Sequence, residues 1–379
     1  MMKYALSVLF VLIGINVTAQ FHYNEEIKSN KFPVYKVDKL NLPDIKEGKK
    51  PKSIILLIGD GMGIAQIQAG MTVNKGLLYL NYFKNTGFSK TYSADNYITD
   101  SAAGGTALSS GYKTKNGMIA MTPDSVPVET ILEIAEKLGK STGLVSTSSI
   151  THATPASFIA HQVSRNMYED IAADFMNTDF EVILGGGYDN FAKRKDGRNL
   201  LEKFKDEGYQ VMTNMDEIEN VKDGKLVGLT ATGHNPPFDE RGDMLPRAAE
   251  TAIDILDNNK KGFFLMVEGS QIDWGGHANN TDYIVGEMLD FDYTIGEALK
   301  FAAKDKNTLV IITADHETGG MAIAGGSYSE GEIQAAYTTK SHTGVMVPVF
   351  AWGPGSEEFR GIMDNTEIFK KMKELITHQ

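Results

Sequence analysis

The chain of 379 residues contains no cysteine. That one absence excludes disulfides, thiolate zinc sites, cysteine nucleophiles and lipid anchoring through Cys. An excess of positive charge is also missing: 37 Lys and Arg stand against 49 Asp and Glu, a net charge of −12. Such a surface argues against a nucleic-acid groove and does not draw anions from a distance. An anionic ligand would need local cations, such as bound metal ions or a buried arginine. Beyond the N-terminus no apolar run is long enough to predict a membrane span. No internal repeat, low-complexity tract, Walker loop or H-E-x-x-H string occurs.

What is present is an ordinary globular composition, 42% hydrophobic and 23% charged, in a chain long enough to bury a core without staples. Met1-Met2-Lys3 leads into an apolar run from Tyr4 to Ile15, then Asn16-Val17-Thr18-Ala19-Gln20. An early lysine, a short apolar stretch and small residues predict a signal peptide over 1–19, cut after Ala19. The mature protein is then expected in the periplasm or outside the cell. Residues 20–52, with Pro33, Pro43 and Pro51, read as an irregular lead-in to a catalytic domain over 53–379.

From Ser53 onward, strand and helix signals alternate. Strands are predicted at Ser53–Gly59, Thr142–Ser146, Phe180–Leu184, Tyr209–Thr213, Gly262–Val267, Thr308–Thr313 and Val345–Trp352. Helices are predicted at Ile64–Val73, Glu129–Leu138, Leu200–Glu207, Leu245–Asn258, Asp282–Ala303 and Thr366–Ile376, with a further one running through His161 and Arg165. Gly185–Gly187 reads as a tight turn and Gly228–Asp243 as a surface excursion. Alternation with β-branched strand runs predicts a single-domain, three-layer α/β/α sandwich around a large, mostly parallel sheet. Ligands of such sheets sit at the carboxyl ends of strands.

Three of these strands end in acid and imidazole. The first ends at Asp60, the second runs into Glu268, Asp273 and His277, and the third into Asp315, His316 and Glu317. Buried charge is costly unless paired or metal-bound. Asp273 and His277 are four apart, so one helical turn places both on one face. Aspartate with histidine suits zinc, and oxygen-only sets such as Asp60, Glu268 and a hydroxyl suit magnesium. Elsewhere, Asp100-Ser101 precedes Ala-Ala-Gly-Gly, which fits a helix start with open amides that favour an anion. A plain helix cap accounts for the same letters. No local base lies beside Ser101, so a nucleophilic serine there would need a metal to activate it.

These residues together resemble alkaline phosphatases. Thr99-Asp100-Ser101-Ala102-Ala103 is similar to the family's nucleophile motif. Gly59-Asp60-Gly61, Val267-Glu268-Gly269 with Asp273 and His277, and Thr313-Ala314-Asp315-His316 resemble its metal motifs, in the family's order. The resemblance covers about residues 53 to 352. It implies hydrolysis of phosphate monoesters through a phosphoserine on Ser101, with two Zn2+ and one Mg2+. Asp273, His277 and His342 would hold one zinc, with His234 as the rival for His342. Asp60, Asp315 and His316 would hold the second, and Asp60, Thr154 and Glu268 the magnesium. Arg165 would clamp phosphate, and Asp100, His152 and Trp274 would stand behind these groups. His161 reads as structural and Glu317 as a support or surface residue.

Two positions depart from the best-studied bacterial members. His152 stands where they carry an acid, and Trp274 where others have Lys or His. Both change the charge around the phosphate and the third metal. Small phosphomonoesters are the implied substrates, with inorganic phosphate as product and a homodimer as the implied assembly. The rivals are a phosphodiesterase of the same superfamily and an exported, non-catalytic metal- or phosphate-binding protein. The sulfatase C/S-x-P-x-R string is absent.

Overall fold

The computed structural model describes residues 35–377. The predicted signal peptide, His22 and His378 lie outside the described residues. Residues 35–52 run without helix or strand. The strands are β1 (Ser53–Gly59), β2 (Asn85–Lys90), β3 (Ser141–Ser149), β4 (Val182–Gly186), β5 (Gln210–Met212), β6 (Leu226–Ala231) and β7 (Phe263–Gly269). They continue with β8 (Thr308–Thr313), β9 (Glu317–Thr318), β10 (Met321–Ser327), β11 (Glu332–Tyr337), β12 (His342–Thr343), β13 (Val347–Trp352) and β14 (Gly361–Asp364).

Ten strands form one sheet in the order β14-β2-β13-β8-β1-β7-β3-β4-β6-β5. All pairings are parallel except those of β13, which runs against both β8 and β2. The centre of the sheet is fully buried: every residue of β1, β7 and β8 is. Strand periodicity then decides the layers. Ile55 and Leu57 point into one core with helices Met244–Leu256 and Thr281–Asp305. Ile54, Leu56 and Ile58 point into the other with helices Ile131–Lys137, Leu200–Asp206 and Asn365–Thr377. This is the expected single-domain three-layer α/β/α sandwich.

Several elements differ from the sequence-based reading. The predicted excursion from Gly228 is partly an interior strand: β6 pairs with β4 and β5. Its signal is weak because Gly228 interrupts it. That glycine lets Leu184 and Ile218 close in, since an added Cβ would lie 2.4 Å from Leu184 Cδ2. No helix runs through His161 and Arg165. Gln162 instead bridges to Ile119, and Arg165 N donates to Gly117 O at 2.7 Å. Strand β2 has no apolar run and is fixed by its neighbours β13 and β14. The hairpin of β10 and β11 and the β9–β12 pair were also not predicted. The string Gly139-Lys140-Ser141-Thr142-Gly143 has the letters G-x-S-x-G. It opens β3 at the amino edge of the sheet, remote from the strand ends discussed next.

A candidate metal centre at the carboxyl edge of the sheet

Strands β8, β1 and β7 are direct neighbours, so their carboxyl ends deliver Asp315, Asp60 and Glu268 side by side. After β1 the chain turns at Gly61, with φ of 74°. Only glycine fits there, because a Cβ would sit 2.6 Å from the Asp273 Cα. That close approach brings helix Gln271–Ala278, carrying Asp273 and His277, onto the end of β1.

Three groups of potential ligands result: Asp273 with His277 and His342; Asp60 with Asp315 and His316; and Asp60 with His152 and Glu268. In the first, Asp273 Oδ2 is 3.3 Å from His277 Nε2, and Asp273 Oδ1 is 3.6 Å from His342 Nε2. In the second, His316 Nε2 is 3.2 Å from Asp315 Oδ2 and 3.6 Å from Asp60 Oδ1. The His316 and His342 rings stack with centroids 3.6 Å apart, which links the two groups. Each histidine is oriented through its other nitrogen. His277 Nδ1 meets Lys340 O at 2.7 Å, His342 Nδ1 meets Thr99 O at 2.9 Å, and His316 Nδ1 meets Thr318 Oγ1 at 3.3 Å. Such contacts leave Nε2 free to bind a metal and aim it.

The cost of this arrangement identifies its partner. Asp60 is wholly buried, and neither of its carboxylate oxygens has a hydrogen bond. Asp315 Oδ2, Glu268 Oε1 and Thr154 Oγ1 are likewise buried and unmatched. Unpaired buried charge of this kind demands cations or protons. With protein groups alone, protons must serve. Burial, reinforced by Asp315, Asp273 and Glu268, pushes Asp60 well above the usual carboxylate range. Burial with Asp273 and Glu268 nearby raises Asp315 to about 7. Burial would raise Asp273 too, but its hydrogen bond with His277 and the fields of His316 and His342 hold it low. The same hydrogen bond raises His277 to about 9. Burial and the neighbouring His342 drive His316 far below its ordinary value. The donor set fits the expected cations: Asp with His for zinc, and carboxylate with hydroxyl for magnesium.

Ser101 opens helix Ser101–Ser110, and its Oγ lies 3.3 Å from His316 Nε2. The cap is Asp100, whose Oδ1 accepts from Ala103 N at 3.0 Å, so the serine hydroxyl is not used for capping. Gly104 and Gly105 let this helix lie against the ligands. A Cβ on Gly104 would stand 3.0 Å from that of Asp315, and one on Gly105 3.5 Å from the Thr154 Cα. The other oxygen of Asp100 accepts from Arg165 Nη1 at 3.1 Å and from Gly117 N at 2.9 Å. Burial works against the Arg165 charge, but the Asp100 carboxylate more than restores it.

The family model for alkaline phosphatase matches residues 51–336 and 327–378. The chain belongs to the alkaline phosphatase family. Alkaline phosphatase 4 of Bacillus subtilis is 37% identical, the match covering 85% of this chain and 89% of that protein. Alkaline phosphatase of Escherichia coli is 32% identical, over 88% and 87%. Among solved structures, the alkaline phosphatase of the Antarctic bacterium TAB5 superposes with a TM-score of 0.82 at 44% identity, over 86% and 98%. Variants of that enzyme with a histidine replaced by glutamate or by aspartate have magnesium bound in their M3 site. The protein is thus a phosphatase that hydrolyses phosphomonoesters.

The structure groups His342, not His234, with Asp273 and His277, and it puts His152 beside Asp60 and Glu268. His234 sits beside His152 and Trp274, with ring centroids 5.3 and 4.9 Å away, and its Nδ1 accepts from Ser149 N at 3.0 Å. Glu317 is buried rather than superficial. It accepts hydrogen bonds from Gln66, Gly320, Met321 and Thr343, pinning β9 and β12 behind the histidines. His161 is structural, with Nδ1 at 2.9 Å from Ala120 O and Nε2 at 3.3 Å from Glu133. Sequence reasoning missed Thr318, which donates to Asp273 Oδ1 and touches His316. It also missed Ser146, which donates to Glu268 Oε2 at 2.6 Å. The only sequence signal for either is a hydroxyl within or just past a strand that ends in ligands.

Proposed function

We propose that Ser101 is the nucleophile of this phosphatase and that a phosphoserine is its intermediate. The observation that carries the reading is the orphaned, buried Asp60 carboxylate shared by two ligand groups, with the Ser101 hydroxyl beside the His316 imidazole. Asp273, His277 and His342 would hold one zinc ion, and Asp60, Asp315 and His316 a second. Asp60, Thr154 and Glu268 would hold magnesium. When bound, these ions supply Lewis-acid charge that lowers hydroxyl pKa values and offsets charge on the phosphoryl and leaving oxygens.

The chain's own groups do the positioning. Arg165, anchored on Asp100, offers its guanidinium fork to two phosphoryl oxygens. The N-terminal amides behind Ser101 add favourable charge for the same dianion. Ser101 Oγ gives up its proton to water and attacks phosphorus in line. The bond to the alcohol oxygen breaks, and the alcohol leaves with a proton drawn from water. A water molecule then attacks the phosphoserine, releasing inorganic phosphate and restoring the hydroxyl. Positioning and charge carry most of such a reaction. The leaving group has no dedicated protein acid in this scheme, so many small phosphomonoesters serve as substrates. The apolar run from Tyr4 to Ile15 supports action outside the cytoplasm.

Replacing Ser101 with Ala tests the reading. Turnover of p-nitrophenyl phosphate should fall roughly a thousandfold or more, and acid quenching should trap no phosphoprotein. Unchanged turnover, or faster cleavage of the bis-p-nitrophenyl diester by the unmodified enzyme, would remove it.

A further inference from the structure

His342 is oriented by a backbone carbonyl, and that carbonyl belongs to a peptide unit held from its other side. His342 Nδ1 lies 2.9 Å from Thr99 O. A carbonyl can only accept, so Nδ1 carries the proton and Nε2 is the free nitrogen of the neutral ring. The nitrogen of the same peptide unit is Asp100 N, which donates to Asn116 Oδ1 at 3.2 Å. The unit is planar and trans, so its N–H and its C=O point in opposite directions and turn together. Whatever fixes the N–H therefore also aims the carbonyl at His342. An N–H that donates also polarises its own peptide and strengthens the carbonyl as an acceptor.

The other end of the Asn116 amide holds the preceding peptide unit, with Nδ2 donating to Ile98 O at 3.0 Å. One side chain thus brackets Thr99 on both sides, and its two partners fix which end is oxygen and which nitrogen. Asn116 is itself anchored. Its backbone N donates to Asp95 Oδ1 at 3.0 Å, and Met118 N donates to Lys115 O at 3.1 Å to close the turn around it. Gly117 completes that turn with φ of 88°. The other zinc group is tied elsewhere: Asp315 accepts from Gly61 N and His316 N, and His316 meets Thr318 and Ser101.

We propose that Asn116 is a positioning residue for His342: by accepting from Asp100 N it sets the Thr99 carbonyl that holds the Nδ1 proton, and so presents Nε2 beside Asp273 and His277 for a cation. Asn116 then acts on one zinc ion and not equally on both. This rests on the reading of Asp273, His277 and His342 as one zinc site.

The test measures the two zinc affinities of the full chain separately, by competition with a chelator. Asn116 is not among the residues with positive φ, so Asn116→Ala introduces no backbone strain. That variant should weaken one zinc roughly tenfold or more relative to the other. The weakened ion should be the one that His342→Ala removes. Asn116→Asp keeps an acceptor for Asp100 N and should restore most of the ratio between the two affinities. Its added charge acts on both ions, whereas the positioning acts on one, so the ratio separates them. Equal weakening of both ions by Asn116→Ala, no change in either, or an Asp variant no better than the Ala variant would overturn the proposal. Retention of both zinc ions by His342→Ala would instead refute the reading beneath it.

Discussion

At the scale of single residues, the site depends on groups that aim its ligands as much as on the ligands. Thr318 donates to Asp273 and meets His316, so one hydroxyl orients a ligand of each proposed zinc. Thr318→Val keeps the shape and removes the donor. Zinc affinity, measured by competition with a chromogenic chelator, should fall roughly 10–100-fold. An unchanged affinity would show that packing alone aims Asp273. Legibility divides along the same line. Asp60, Asp273, Asp315 and His316 were readable because a charge at the end of an apolar strand is costly to bury without a partner. Thr318 and Ser146 were not, because a hydroxyl carries no such penalty and fits many places. Arg165 was recognisable only through the family motif. Its supposed helix does not exist, and its position comes from the Asp100 contact, which no local pattern announces.

At the scale of elements, the segment after β6 shows how a weakly signalled region is fixed. Arg241, on the short helix Phe238–Arg241, inserts into the long helix Thr281–Asp305. It donates to Glu287 Oε2 at 2.6 Å and to Asp290 Oδ2 at 2.7 Å, all three side chains being 2% exposed or less. Glu287 also accepts from Phe238 N at 2.8 Å. This anchor steadies the stretch that carries His234 to the rim of the site. Arg241→Ala leaves two buried carboxylates without their cation and should cost about 3–5 kcal/mol in urea unfolding. A loss well under 1 kcal/mol would mean that water or protons compensate. The strongly apolar strands β1, β7 and β8 were located from sequence to within about two residues, as buried parallel strands usually permit. Strands β2 and β6 were missed because their place is set by neighbours rather than by their own residues.

At the scale of the whole molecule, a chain with a net charge of −12 concentrates further buried acids at one edge of its sheet. The consequence is a stability that depends on cations and on pH together. After chelation, His277 holds a proton that the unfolded chain releases, and Asp60 is shifted toward its protonated form in the same sense. Asp60 is raised by burial and its acidic neighbours, and His277 is held up to about 9 by Asp273. A group raised on folding stabilises fully below its unfolded pKa, about 6.5 for histidine, and loses that contribution as pH passes its folded value. Chelated protein should therefore lose melting temperature between pH 7 and pH 9 more steeply than cation-loaded protein, in which metal replaces those protons. Scanning calorimetry at both pH values, with and without chelator, reads the difference. A chelated form that gains stability over that range, relative to the loaded form, would contradict the protonation scheme.

The central claim is that carboxylates and imidazoles from separate strands gather divalent cations around the Ser101 hydroxyl. Anomalous diffraction at the zinc edge, from crystals of the zinc-loaded enzyme, tests it directly. Two peaks are predicted, one among Asp273, His277 and His342 and one among Asp60, Asp315 and His316, the latter adjoining Ser101 Oγ. Zinc found only elsewhere, or at neither position, would contradict it.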